Sequence, residues 1–227
     1  MLLDIRNVSV SFKKENQKSL FGKERQRVLD DISFSMDYED AIGIVGPSGS
    51  GKSTLGKVIL GIIKPDTGEV ILEGEKIPSI ASRKSMSLVF QDYKASVNPR
   101  FTIRQIIEEP LFLSKSSLNK DKEINRLLKD VGLDESFASR FPHEVSGGQL
   151  QRICIARSIA TNPKIILLDE ATSSLDLENQ INILDLLKEL KSKYKLSYIF
   201  ISHDLDSINY LCNKVITLKN GKVETYD

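Results

Sequence analysis

The chain of 227 residues carries 32 basic against 31 acidic side chains, a formal net charge of +1, with 28% of its residues charged. That balance excludes a nucleic-acid footprint spread over the whole surface. The longest nearly apolar run, Val58 to Ile63, is far shorter than a membrane span. The start, Met1-Leu2-Leu3-Asp4-Ile5-Arg6, meets an acid too early for a signal peptide. The length suits one large domain, 1–227, with room for a sizeable insertion. Cys154 and Cys212 lie in apolar-periodic stretches without C-x-x-C spacing, so both read as buried packing residues in a reducing compartment.

Leu3 to Phe12 alternates apolar and polar side chains, the pattern of a half-buried strand. Val28 to Met36 repeats it, with Val28, Ile32, Phe34 and Met36 as its apolar set. Between them Lys13 to Arg27 is dense in lysine and arginine and reads as a solvated loop. Ala41 to Val45 is a short buried strand, and Lys52 to Gly61 has helical spacing. A turn at Lys64 to Gly68 precedes a strand at Glu69 to Gly74. Ser87 to Phe90 is a short apolar run. From Thr102 to about Phe137 the pattern is helical, with Ile103, Ile106 and Ile107 on one face and Ile124, Leu127, Leu128 and Val131 on another. Ser146 to Ala160 continues it, and His143 beside Pro142 is a loop residue. Alternation then resumes: a strand at Lys164 to Leu168, a helix at Leu177 to Lys193, a strand at Ser197 to Ser202 and a short helix at Leu205 to Leu211. Val215 to Val223 is a hairpin turning at Asn220-Gly221. The fold expected is α/β, a mixed sheet with antiparallel N-terminal strands and an inserted all-α subdomain over 92–160.

Gly46-Pro47-Ser48-Gly49-Ser50-Gly51-Lys52-Ser53 matches the phosphate-loop pattern G-x-x-x-x-G-K-[ST] in full. Glycines let the backbone turn its N–H groups onto the α- and β-phosphates. Lys52 can reach the β- and γ-phosphates, and the Ser53 hydroxyl can ligate Mg²⁺. The strand before and helix after place the phosphates at a helix N-terminus. Ile165 to Leu168 ends in Asp169-Glu170. Adjacent residues on a strand end face different sides, so Asp169 is read as the Mg²⁺ residue and Glu170 as the general base toward water. Ser146-Gly147-Gly148-Gln149 opens a helix with Ser146 as N-cap, a second set of anion-ready N–H groups.

In this order the motifs resemble the ATP-binding subunits of ATP-binding-cassette (ABC) transporters, over essentially the whole chain. The resemblance also rests on Gln91, Ser174-Leu175-Asp176 and Ile201-Ser202-His203-Asp204. It implies ATP and Mg²⁺ as cofactors and a head-to-tail dimer sandwiching two ATP molecules. Each ATP would lie between one subunit's phosphate loop, through Thr54, and the other's Ser146–Gln149 segment. It further implies Gln91 as a sensor of Mg²⁺ and water, His203 as a switch at the γ-phosphate, and Ser174 to Asp176 as the loop crossing the dimer. Phe12 is left open between an adenine-stacking aromatic and a core residue.

Leu20-Phe21-Gly22, Gln91-Asp92 with Ser96 to Arg100, and Gly148 to Arg152 are most similar to peptide and nickel importer ATPases. The resemblance therefore implies a subunit powering a bacterial importer of nickel, a nickel chelate or short peptides. Val145 replaces the usual leucine before the Ser-Gly-Gly, and no peptide-type extension follows Asp227. The implied partners are a second ABC ATPase subunit, like or unlike this one, two membrane permeases, and a substrate-binding protein indirectly. No nucleic acid is implied, and the place is the cytoplasmic face of the cell membrane. The alternative from another class is a non-transport ABC ATPase within a soluble enzyme complex.

Overall fold

The first two strands pair through a matched irregularity. In this computed structural model, which describes residues 1–13, 25–77, 85–113, 120–173 and 175–226, β1 (Leu3–Lys13) runs antiparallel to β2 (Arg25–Met36). Asn7 and Asp31 both adopt positive φ, 49° and 57°. The Asn7 side chain donates to Asp31 Oδ1 at 2.8 Å, while the Asp31 amide donates to Ser9 Oγ at 3.0 Å. This paired bulge shifts the alternation by one residue. Leu29 is consequently buried with Ile32, Phe34 and Met36, and Val28 only half-buried, a correction to the apolar set read from simple alternation.

The strands also extend further into the charged segment than its composition suggests. Lys13 pairs with Arg25 and Phe12 with Gln26. Arg25 donates to Ser11 O and to Asp66 Oδ1, both at 2.8 Å. Charged side chains are tolerated because they lie on the exposed strand ends. Leu20-Phe21-Gly22 falls outside the described residues.

The chain divides into two compact units, Met1–Arg83 with Phe200–Asp227, and Lys84–Ile199. In the first, β4 (Thr67–Leu72) and β5 (Glu75–Lys76) complete an antiparallel sheet in the order β2-β1-β4-β5. A second set follows: β3 (Ala41–Val45), buried throughout, leads into α1 (Lys52–Ile59), which buries Leu55, Val58 and Ile59. In the second unit, β6 (Met86–Val89) is followed by α2 (Ile103–Glu108), α3 (Lys120–Asp130) and α4 (Gly147–Ile159). Then come β7 (Ile165–Asp169), parallel to β6, and α5 (Leu177–Tyr194). β8 (Ser197–Ile201) leads back to the first unit, where α6 (Leu205–Leu211), β9 (Lys214–Lys219) and β10 (Lys222–Tyr226) follow. β9 is parallel to β3 and antiparallel to β10. The fold is thus α/β with mixed strand directions and antiparallel N-terminal strands.

The helical stretch from Thr102 is broken more often than its periodicity predicts. α2 gives way to a 3₁₀ turn at Glu109–Leu113, because Pro110 lacks the N–H a continuing α-helix needs. His143 lies in a second short turn, Pro142–Glu144, stacked on Phe141 at 5.7 Å. Cys154 is buried as expected, but Cys212 is only half-buried because it sits at the C-cap of α6. No described helix is long and apolar enough to cross a membrane.

A polar knot holds the start of β3 against the start of β9. Asp40, 9% exposed, accepts from Asn213 Nδ2 at 3.0 Å, Lys214 Nζ at 2.8 Å and the Asp37 amide at 2.8 Å. Burial pushes the Asp40 carboxyl up, but Lys214, Asn213 and the Asp37 N–H outweigh it and hold the group below its ordinary value of 3.8. A carboxylate with a lowered folded pKa stabilises above its unfolded pKa and loses that contribution as pH falls through the folded value. Asp40→Asn should therefore cost about 1–2 kcal/mol at neutral pH. It should also flatten the fall in melting temperature between about pH 5 and about pH 3. Thermal melts across that range would check it, and a variant falling as steeply as wild type would assign the acid sensitivity elsewhere.

Candidate nucleotide site

In the first unit, the chain leaves β3 at Val45 and turns at once. A Cβ on Gly46, whose φ is 150°, would lie 2.1 Å from Leu218 O, so no side chain fits there. Gly51, φ 106°, would place a Cβ 2.9 Å from Val28 O. The Ser50 amide donates to Pro47 O at 3.1 Å, and the Gly221 amide donates to Ser50 O at 3.2 Å. Lys52, 8% exposed, folds its ammonium back into the loop, donating to Gly46 O at 2.7 Å and Pro47 O at 3.0 Å.

The helix that follows is left open at its start. Gly51 is its N-cap residue with no side-chain cap, and no acid stands in the first turn. Its first amides have no intrahelical acceptor, and the helix dipole adds positive potential at that end. Thr102, Ser146, Asp176 and Asp204 cap α2, α4, α5 and α6 with their own side chains. Ser50 Oγ is buried without a hydrogen-bond partner among the described residues. Donors, a buried lysine and an orphaned hydroxyl together fit phosphate oxygens.

His203 is exposed and follows Ser202, whose amide donates to Ile44 O near the end of β3 at 3.3 Å. Asp204 is used as the cap of α6, accepting from the Asp206 amide and from Ser207 Oγ. Phe12 is 43% exposed and so is not a core residue. It faces Gln26, two positions before the Val28 that approaches Gly51.

In the second unit, Gln91 Nε2 donates to Glu170 Oε2 at 3.0 Å. β7 ends at Asp169, and Glu170 turns away with φ 47°. The separation of the two acids thus comes from a left-handed backbone as well as from strand alternation. Ser146 accepts from the Gln149 amide at 3.3 Å, while Gln149 Oε1 accepts from the Ser146 amide at 2.9 Å, a closed capping box. Gly147 and Gly148 therefore present the free amides of α4. Asp176 caps α5, accepting from the Asn179 amide at 2.9 Å and its Nδ2 at 2.7 Å. A Cβ on Gly148 would lie 3.3 Å from Asn179 Oδ1, which sets the Asp176 turn beside the Ser146 segment. Ser174 lies outside the described residues. Motif reading missed Tyr93 and Asn179, which pack on the two glycines. Their only signal is proximity in sequence to Gln91 and Asp176.

Strand, glycine loop, inward lysine and uncapped helix define a phosphate-loop nucleotide-binding protein. Residues 29–173 match the model of the ABC transporter family. The chain is 41% identical to the metal-staphylopine import system ATP-binding protein CntF of Staphylococcus aureus, over 98% of this chain and 90% of that protein. It is 40% identical to the oligopeptide transport ATP-binding protein AppF of Bacillus subtilis, over 87% of this chain and 63% of that protein. A solved dimeric post-hydrolysis state of the ATP-binding cassette MJ0796, bound to ADP and Pi, superposes with a TM-score of 0.85. It is 31% identical, covering 100% of this chain and 98% of that one. The chain belongs to the ABC transporter family, as an ATP-binding ATPase whose hydrolysis is coupled to transport.

Gly46→Ala tests the geometry of the loop. The methyl must displace Leu218 O or the loop itself, so titration with a fluorescent ATP analogue should show affinity falling at least about tenfold, the equivalent of about 1.4 kcal/mol. Unchanged affinity would mean the loop takes another path.

Proposed function

We propose that this chain is the ATP-hydrolysing subunit of a bacterial importer for a metal chelate, nickel in particular, with short peptides as the second substrate class. The observation that carries this reading is the likeness to CntF across nearly the whole length of both chains. AppF, an oligopeptide transport protein by name, keeps peptides in second place. No observation favours a soluble enzyme-complex ATPase.

The site residues take these roles. The loop Gly46 to Ser53, with Thr54, cradles the phosphates, Lys52 neutralises the β- and γ-oxygens, and Phe12 stacks on the adenine. Mg²⁺ arrives with ATP, and Ser53, Gln91 and Asp169 are the oxygen donors suited to it. Glu170, oriented by the Gln91 amide, accepts a proton from the attacking water. His203 supports the γ-phosphate. Ser146, Gly147, Gly148 and Gln149 serve the ATP of a second cassette, with Asp176 in the loop that crosses to it. Two N–H clusters from different subunits would complete one γ-phosphate cage, so ATP favours the closed dimer and hydrolysis releases it. The partner cassette is a related, distinct subunit. Two permeases receive the motion through the helical subdomain 92–160, a substrate-binding protein delivers cargo outside, and the chain sits at the cytoplasmic face of the membrane.

Two variants separate binding from chemistry. Glu170→Gln should retain ATP binding, lower turnover at least about a hundredfold and trap an ATP-bound dimer on size exclusion. Lys52→Ala should instead lose nucleotide affinity. Normal hydrolysis by the Gln variant in the assembled transporter would remove Glu170 from its role.

The substrate is tested in cells. A strain lacking this chain should accumulate less radioactive nickel at low external metal, with peptide uptake unchanged. Normal nickel accumulation with failed di- or oligopeptide uptake would transfer the assignment to peptides.

A further inference from the structure

The turn after Gln91 is built into the helix that begins at Ser146. Asp92 closes the turn, accepting from the Ala95 amide at 2.9 Å through its side chain and from the Ser96 amide at 3.1 Å through its carbonyl. Arg157, on the last turn of α4, donates to Ser96 O at 2.7 Å and Ser96 Oγ at 3.1 Å. Cys154, one turn earlier, donates to Tyr93 O at 3.8 Å, and Ser96 Oγ donates to the same carbonyl at 2.8 Å. These contacts fix the turn to the body of α4. Burial raises the Cys154 thiol pKa, so it serves as a neutral packing group.

The fourth contact lies at the other end of the helix. Tyr93 is 7% exposed, and a Cβ on Gly147 would lie 2.7 Å from its hydroxyl and 3.8 Å from its Cζ. Gly147 has no positive φ, so its backbone does not require glycine there. The closeness of a buried aromatic ring does. Tyr93 therefore sets how near the first residue of α4 can come, and it is two residues from the Gln91 that holds Glu170 at 3.0 Å.

We infer that Tyr93 is a positioning residue that couples the Gln91–Glu170 hydrogen bond to the placement of the Ser146-Gly147-Gly148 segment. The inference rests on the roles proposed above for Glu170 and for that segment. A shift of the Gln91 turn carries the phenol with it, and the phenol has no free space on the Gly147 side. The glycine amides of α4 and the carboxylate of Glu170 are thereby set by one rigid side chain. The coupling acts on geometry at the transition state and leaves the phosphate loop untouched.

The test is steady-state ATP hydrolysis by the assembled transporter. Tyr93→Ala should lower kcat about tenfold, as misplacement of a catalytic group does, with KM for ATP within about twofold. Gly147→Ala should also lower kcat, because its methyl meets the phenol oxygen. Adding Tyr93→Phe to Gly147→Ala removes that oxygen and should recover at least about threefold of the lost kcat, a suppression that only direct contact produces. A Tyr93→Ala variant with wild-type kcat and melting temperature would overturn the inference. Should that variant fold poorly, the double variant decides, and absence of recovery overturns it. Glu170→Gln, assayed alongside, separates the two levels. If it hydrolyses normally the role proposed for Glu170 fails, whereas if it is inactive and Tyr93→Ala is normal, the coupling alone fails.

Discussion

The first unit is organised by a helix start that no side chain occupies. α1 follows Gly51 with neither a capping side chain nor an acid in its first turn. A glycine in the N-cap position costs about a few tenths of a kcal/mol relative to a capping side chain. The deficit is concentrated where Lys52 adds a buried positive charge, donating to two backbone carbonyls. Among the described residues, amides without acceptors, a cation without a carboxylate and the orphaned Ser50 hydroxyl share one polarity. Each costs stability in the free protein, and an anion with several oxygens relieves all of them. Donors of one polarity, left without acceptors, are gathered at one place in the loop.

Backbone proximity then fixes where that start can stand. Gly46 passes under Leu218 of β9, and Gly51 passes Val28 of β2. The loop is therefore clamped between strands from distant parts of the sequence. The Asp40 knot holds β3 and β9 in the register that this clamp needs, with Ile42 opposite Lys214 and Ile44 opposite Ile216. The knot and the glycines act together, because a slip of one residue would move every β9 side chain to the other face.

Much of this was legible from pattern. The phosphate loop, the α5 and α6 boundaries and the apolar faces of α2 and α3 follow from spacing alone, since periodicity reports which side of an element is buried. What periodicity could not report was the Asn7–Asp31 bulge, because two polar residues in αL conformation, joined by one side-chain hydrogen bond, reset the alternation. Tyr93 was likewise invisible. Its partner is the bare Cα of Gly147, and a glycine kept for another residue's ring looks in sequence like a glycine kept for a turn.

Glu170 shows why the acids at the end of β7 differ in more than direction. Most non-glycine residues at positive φ lie in bulges, turns or the α5 C-cap, as Lys195 does. Glu170 pays for the same conformation directly after a buried strand, at about 1 kcal/mol for an L-residue. Its carbonyl accepts from the Ser173 amide at 3.2 Å and from Ser173 Oγ at 2.9 Å, which holds the turn. Asp169, still on the strand, keeps the orientation that β7 dictates. The left-handed step gives Glu170 a separate direction, toward the Gln91 amide. Two adjacent carboxylates facing the same way would repel each other. Strain in one residue gives two adjacent carboxylates separate directions, and the Ser173 contacts let the fold sustain it.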